Sequence, residues 1–131
     1  MATRGALGGL AVTTSDVVRV LDATGFDIIF VETVGIGQES APFGRDMDQT
    51  IFVMGPDYGS RLQLQKIVML DVADVVVVNK SDLAGAKTAI SEVTSRVSNA
   101  HRRVIATTAS RHGDAGVDEV FRAVVHRETS S

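Results

Sequence analysis

The stretch "ADVVVVNKSD", residues 73–82, constrains the fold more than any other part of the chain. Four consecutive valines, Val75 to Val78, are β-branched, and a run without a single polar residue suits a strand buried on both faces. Strands of that kind belong to parallel sheets, whose connections are crossovers instead of tight hairpins. Asn79, Lys80 and Asp82 follow at once. The polar side chains therefore gather where the strand leaves the core, and strand ends are where ligands collect in layered α/β proteins.

The rest of the chain repeats the pattern. "FDIIFVET" (26–33) and "DQTIFVMG" (48–55) read as two earlier strands, and "RRVIATTA" (102–109) as a fourth. Between them lie helical periodicities. Residues 15–24 carry Val17, Val18, Val20 and Leu21 on one face, with Ser15 or Thr14 as cap and Gly25 as stop. A helix is expected from Ser60 to Leu70, another from Ala86 to Ala100 around Ile90, Val93 and Val97, and a last one from Val117 to Val125 capped by Gly116 or Asp114. This alternation predicts an α/β domain with a parallel sheet and helices on both faces.

Composition narrows the function classes. The 131 residues suffice for one domain with a real core, and 44% hydrophobic with 22% charged is the balance of a soluble globular protein. A net charge of −3 provides no basic field for nucleic acid or an anionic membrane. With no cysteine there is no disulfide, thiolate metal site or cysteine nucleophile, which suits a cytoplasmic protein. No apolar run approaches the ~20 residues of a membrane span, and the N-terminal residues lack a signal-peptide core.

The four strand ends read as a set. The first ends in Glu32-Thr33 and runs on through Gly35, Gly37 and Gln38. A carboxylate and a hydroxyl at a strand tip suit Mg²⁺, and the glycines let backbone approach a phosphate. On its own, though, this stretch is better described as an acidic strand end entering a turn. The second end, "GPDYG", is an ordinary turn. At the third, Asn79 offers an amide that donates and accepts, the Lys80 stem can cover a flat ring, and Asp82 can accept two hydrogen bonds at once. Two adjacent N–H donors are what the guanine edge presents and adenine does not. The fourth end, Thr107-Thr108-Ala109-Ser110, offers the backbone N–H of a small residue, Ala109, to the purine O6. An isolated N-K-x-D is often only a turn; its place after an apolar strand, beside the other ends, gives it weight.

Through these motifs the chain resembles the P-loop GTPases. "ETVG" stands in place of the usual Asp-x-x-Gly switch, "NKSD" matches the guanine-specificity motif and "TTAS" the last base-binding loop. Within that group it resembles the cobalamin-mutase chaperone family, the G proteins that service methylmalonyl-CoA mutase, through "GFDIIFVETVGIGQES", "ATRGALGGL" and "VMGPDYGSRLQLQKIVMLDVADVVVVNKSD". "GPDYG" and "ASRHGDAGV" resemble most the G domain of the fused isobutyryl-CoA mutases, in which chaperone and mutase share one polypeptide. The likeness covers nearly the whole chain, with "SAPFGRDMDQT" fitting only loosely.

The resemblance implies a GTPase that binds GTP or GDP with Mg²⁺ and gates cobalamin loading or repair of an acyl-CoA mutase, separate or fused. Cobalamin would enter only through that mutase, and a homodimer of G domains is left open. Carried over by motif, Glu32 and Thr33 lie on the metal side, Gly35 and Gln38 belong to the catalytic switch, and Asn79, Lys80, Asp82 and Ala109 bind guanine. One element is missing: no G-x-x-x-x-G-K-[ST] phosphate loop occurs anywhere in the sequence. The expectation is a single partial G domain over 1–131, the C-terminal part of the family's domain, with the early switch region, second switch and guanine loops and a frayed tail at 128–131. Alone, such a chain is expected to hydrolyse little GTP. The alternative is a non-catalytic docking module that binds a mutase or a second G domain. A receiver-like or flavodoxin-like domain would also carry strand-end carboxylates, but gives no reason for NKSD and TTAS together. His101, His112 and His126 share no helical face and read as surface residues, and Met47, Met54 and Met69 as core or strand-edge filler.

Overall fold

The computed structural model describes residues 13–33, 47–58, 64–97 and 102–126. The chain divides into two compact units, Met1–Asp48 and Gln49–Ser131.

In the first unit, helix α1 spans Thr14–Ala23. Its N-cap is Thr13, one residue before Thr14 and two before Ser15, the alternative caps expected, and no side chain closes it; the Thr13 carbonyl accepts from the Val17 N–H at 3.1 Å. Asp16 in the first turn offsets the exposed amides. The helix stops as expected at Gly25, whose φ of +88° lets the chain turn with no Cβ in the way.

Residues 26–33 correct the expected first strand. A strand needs a neighbour to supply its ladder, and among the described residues no strand pairs with this segment. The pleat signature persists without it. From Ile28 to Thr33, exposed residues alternate with half-buried ones, and Phe30 is 76% exposed. Expected as a strand covered on both faces, the segment has one apolar row in solvent.

The second unit holds a three-stranded parallel sheet in the order β1-β2-β3, formed by β1 (Ile51–Met54), β2 (Val75–Val78) and β3 (Arg103–Ala106). Helix α2 (Leu64–Val72) connects β1 to β2, α3 (Ala86–Val97) connects β2 to β3, and α4 (Ala115–Val125) follows. The sheet and its helices match the expected α/β class. α2 is described from four residues after the expected start to two after the expected end. The expected turn at "GPDYG" contains a short 3-10 turn over Pro56–Tyr58.

β2 is central, and all four valines are buried. Val75 and Val77 join Ile105 and Ala123 in a cluster against which Ile51 and Val120 pack, so α4 covers that face. Val76 and Val78, both wholly buried, point the other way. There α3 packs on β2 and β3, and its buried residues Ala86, Ala89, Val93 and Val97 recur at helical spacing. Small alanines in its first turn let the helix approach closely. Met54 is core as expected, while Met69 is half-buried.

Polar side chains fix the end of the sheet where β2 begins. The Asp74 carboxylate accepts from the Thr50 N–H at 2.7 Å, and the Asp74 N–H donates to the Thr50 carbonyl at 2.9 Å. Arg102 donates to two carbonyls in the last turn of α2, those of Leu70 (3.0 Å) and Asp71, which the helix ladder itself leaves unpaired. Register then aligns Met54, Val78 and Ala106 at the far end.

Candidate functional site

Two loops leave that far end side by side because the ladder runs one step past the strands. The Asn79 N–H donates to the Met54 carbonyl at 2.8 Å, and the Thr107 N–H to the Val78 carbonyl at 2.9 Å. Asn79 and Thr107 are thereby held as neighbours, although distant in the chain. The Asn79 Oδ1 accepts from Thr107 Oγ1 at 3.0 Å and from the Ala109 N–H at 3.1 Å. Since a backbone N–H can only donate, this contact also fixes which end of the Asn79 amide is oxygen. Nδ2 donates to no protein group among the described residues and remains available at the loop mouth.

Two more bonds lock the loops together. The Ser81 N–H donates to the Thr107 carbonyl at 2.9 Å, and Ser81 Oγ lies 3.0 Å from Thr108 Oγ1. Thr107 and Thr108 are both buried, and every described buried side-chain polar atom has a partner. The resulting pocket, about 340 Å³, is lined by Asn79, Lys80, Asp82, Leu83, Ala109 and Ser110.

Three features of its wall bear on chemistry. Lys80 has a φ of +58°, a left-handed conformation that a residue with a Cβ adopts at some cost and that clusters at functional sites. Asp82 is exposed and bonded to no protein donor among the described residues. Leu83 is 46% exposed, an apolar surface beside these polar groups. With the Asn79 amide they offer a donor, a carboxylate acceptor and apolar cover, a set suited to a flat ring with a polar edge.

The structure thus brings together all four residues carried over for guanine: Asn79, Lys80, Asp82 and Ala109. The Ala109 N–H, expected to meet a purine O6, donates to Asn79 Oδ1, so it reaches a base only by sharing that bond. Glu32 is exposed and Thr33 half-buried, both in the first unit. Gly35 and Gln38 lie outside the described residues, as do His101 and the tail from 127. Among the described residues no three His, Cys, Asp or Glu side chains gather as a metal cage. A single carboxylate such as Glu32 suits Mg²⁺, which is held by one or two carboxylates and otherwise by water and phosphate. The described histidines, His112 and His126, are exposed as expected.

Sequence reasoning placed Asp114 only as a helix cap. It does cap α4, accepting from the Val117 N–H at 3.1 Å, but the same oxygen, Oδ2, also accepts from the Thr108 N–H at 3.1 Å. The roles of Thr107 and Ser81 were also missed. Serine and threonine inside N-K-S-D and T-T-A-S are the one available signal, since small hydroxyl residues readily bridge adjacent loops.

The family model of the methylmalonyl-CoA mutase-associated GTPase MeaB matches residues 1–130. A Pyrococcus abyssi protein, provisionally named a GTPase, is 48% identical over 86 residues, covering 66% of this chain and 26% of its own. The fused isobutyryl-CoA mutases of Paraburkholderia xenovorans and Cupriavidus metallidurans are 39% and 38% identical over 95% of this chain, which spans 10% and 12% of theirs. The chain therefore spans between a tenth and about a quarter of the length of these relatives. With a match along almost its whole length, it belongs to the MeaB family of methylmalonyl-CoA mutase-associated GTPases.

Proposed function

We propose that this chain is the guanine-recognising part of a GTPase that assists an acyl-CoA mutase. The observation that carries the reading is the bonding of Asn79 Oδ1 to both Thr107 and Ala109, which makes one preformed pocket from two strand-end loops. Asp82 would accept the N1–H and 2-amino hydrogens of guanine, Asn79 Nδ2 would donate to the imidazole side of the purine, and the Lys80 stem would lie over the ring. A pocket whose loops are latched before the ligand arrives gives up less conformational freedom on binding.

In the complete domain, Glu32 and Thr33 would sit on the Mg²⁺ side, where the ion would neutralise phosphate charge. The Gly35 N–H would donate to the γ-phosphate, and residues 35–44, with Gln38 among them, would report hydrolysis to the partner. The fused mutases among the relatives support an acyl-CoA mutase as that partner. Gating of cobalamin loading or repair is the task we assign to the cycle.

The test of the pocket needs no phosphate grip. Titration of the isotope-labelled chain with GMP, followed by NMR, should shift the amides of Asn79, Asp82, Ala109 and Ser110 at millimolar concentration, and AMP should leave them in place. Equal responses to the two nucleotides would refute guanine recognition.

A further inference from the structure

We propose that Asp114 is a positioning residue for the base pocket, holding the Thr107–Ser110 loop in its receiving shape by a bond additional to its helix cap. The proposal rests on the reading of that pocket as a guanine site. A cap needs one acceptor for one orphan N–H, and the Val117 N–H at 3.1 Å fills that need. The second bond, from the Thr108 N–H at 3.1 Å, reaches six residues back into the loop and does nothing for the helix.

Thr108 is gripped on every polar atom. Asp114 takes its N–H, the Arg111 N–H donates to its carbonyl at 2.8 Å, and Ser81 Oγ lies 3.0 Å from its hydroxyl. The next residue, Ala109, carries the N–H that fixes Asn79 Oδ1. Thr108 therefore sets the position of the Ala109 amide, and Asp114 sets Thr108.

Asp114 is itself anchored, because α4 begins hard against β3. A Cβ built on Gly116 would lie 1.9 Å from the Ala106 carbonyl oxygen, so only glycine allows this approach. The loop from Thr107 to Asp114 is thus tied at its start to β2 and at its end to the strand that precedes it. Asp114 makes no contact with the pocket, whose lining excludes it. Its effect on a base passes through Thr108 and Ala109.

Two variants separate the bonds. Asp114→Ser keeps a capping oxygen for Val117 on a side chain too short to span to Thr108, while Asp114→Asn keeps a carbonyl oxygen able to accept both. In Asp114→Ser, amide exchange of Thr108 should quicken about tenfold or more while Val117 stays protected. GMP binding, followed by NMR, should weaken about tenfold in that variant and by less than about threefold in Asp114→Asn. Release of Thr108 with unchanged GMP affinity overturns the proposal alone. Equal losses in both variants, with Val117 also unprotected, mark a simple structural cap and overturn it too. The absence of any GMP response in the unaltered protein overturns the guanine reading and the positioning role with it, whatever the exchange of Thr108.

Discussion

The segments 26–33 and 75–83 carry the same sequence signal, an apolar β-branched run ending in acidic and polar residues, and the structure treats them differently. Val75–Val78 has a parallel neighbour on each side and is buried throughout. Phe26–Thr33 pairs with no strand among the described residues, and Phe26 and Phe30 face solvent. An apolar run therefore states what a segment would bury, while the partner strands decide whether it can. The polar residues that follow inherit the difference. Asn79 has its backbone in the ladder and its side chain in a latch, so the loop after β2 arrives as a shaped pocket.

The largest test of this contrast places one substitution in both regions. Val76→Asp puts an unpaired charge in the fully buried centre of β2 and should cost about 3–5 kcal/mol, seen as loss of the urea unfolding midpoint. Phe30→Asp changes an exposed side chain and should stay within about 0.5 kcal/mol. A cost above about 2 kcal/mol at Phe30, a buried-site value, would show that 26–33 is packed as its pattern predicts.

A smaller effect is expected where the latch meets α4. Gly116→Ala sets a methyl group against the backbone of Ala106, which must move. A loss of about 1–3 kcal/mol is expected in the same unfolding measurement. Full stability would mean that α4 is not seated on β3 as closely as the structure has it.

The smallest effect on stability should come from the pocket itself. Lys80→Gly relieves a left-handed residue with a Cβ but loosens the unfolded chain, so the two terms nearly cancel, within about 0.5 kcal/mol. GMP binding should nevertheless weaken, because the stem that covers the ring is gone. A variant that loses stability and keeps affinity would reverse the role given to Lys80.

The sheet was legible because its signals are local. Valines in series, a polar residue after β2 and after β3 and alanine or valine at helical spacing are read within a dozen residues, and β1, β2, β3, α3 and α4 fell close to their expected places. The candidate site was legible only as a set of names. That Asn79, Lys80, Asp82 and Ala109 line one pocket follows from the register of β2 and β3, which strand alternation anticipates. The bonds of Thr107, Ser81 and Asp114 join residues that periodicity does not relate, and the φ of Lys80 leaves no mark on composition. The first strand was misread for the converse reason. "FDIIFVET" carries every local sign of burial, and the missing ingredient is a neighbour, which no window on the sequence contains.

The account stands most directly on Asp82, an exposed carboxylate with no protein donor among the described residues, set at the mouth of a preformed pocket. Asp82→Asn exchanges one acceptor for a donor, and xanthine carries a carbonyl where guanine carries its amino group. Binding of GMP and XMP, followed by NMR in both proteins, should show the unaltered chain preferring GMP. The variant's preference should shift toward XMP by about ten- to hundredfold, the worth of a charge-assisted hydrogen bond. Unchanged relative affinities for GMP and XMP in Asp82→Asn would contradict guanine recognition and reduce N-K-S-D to a turn.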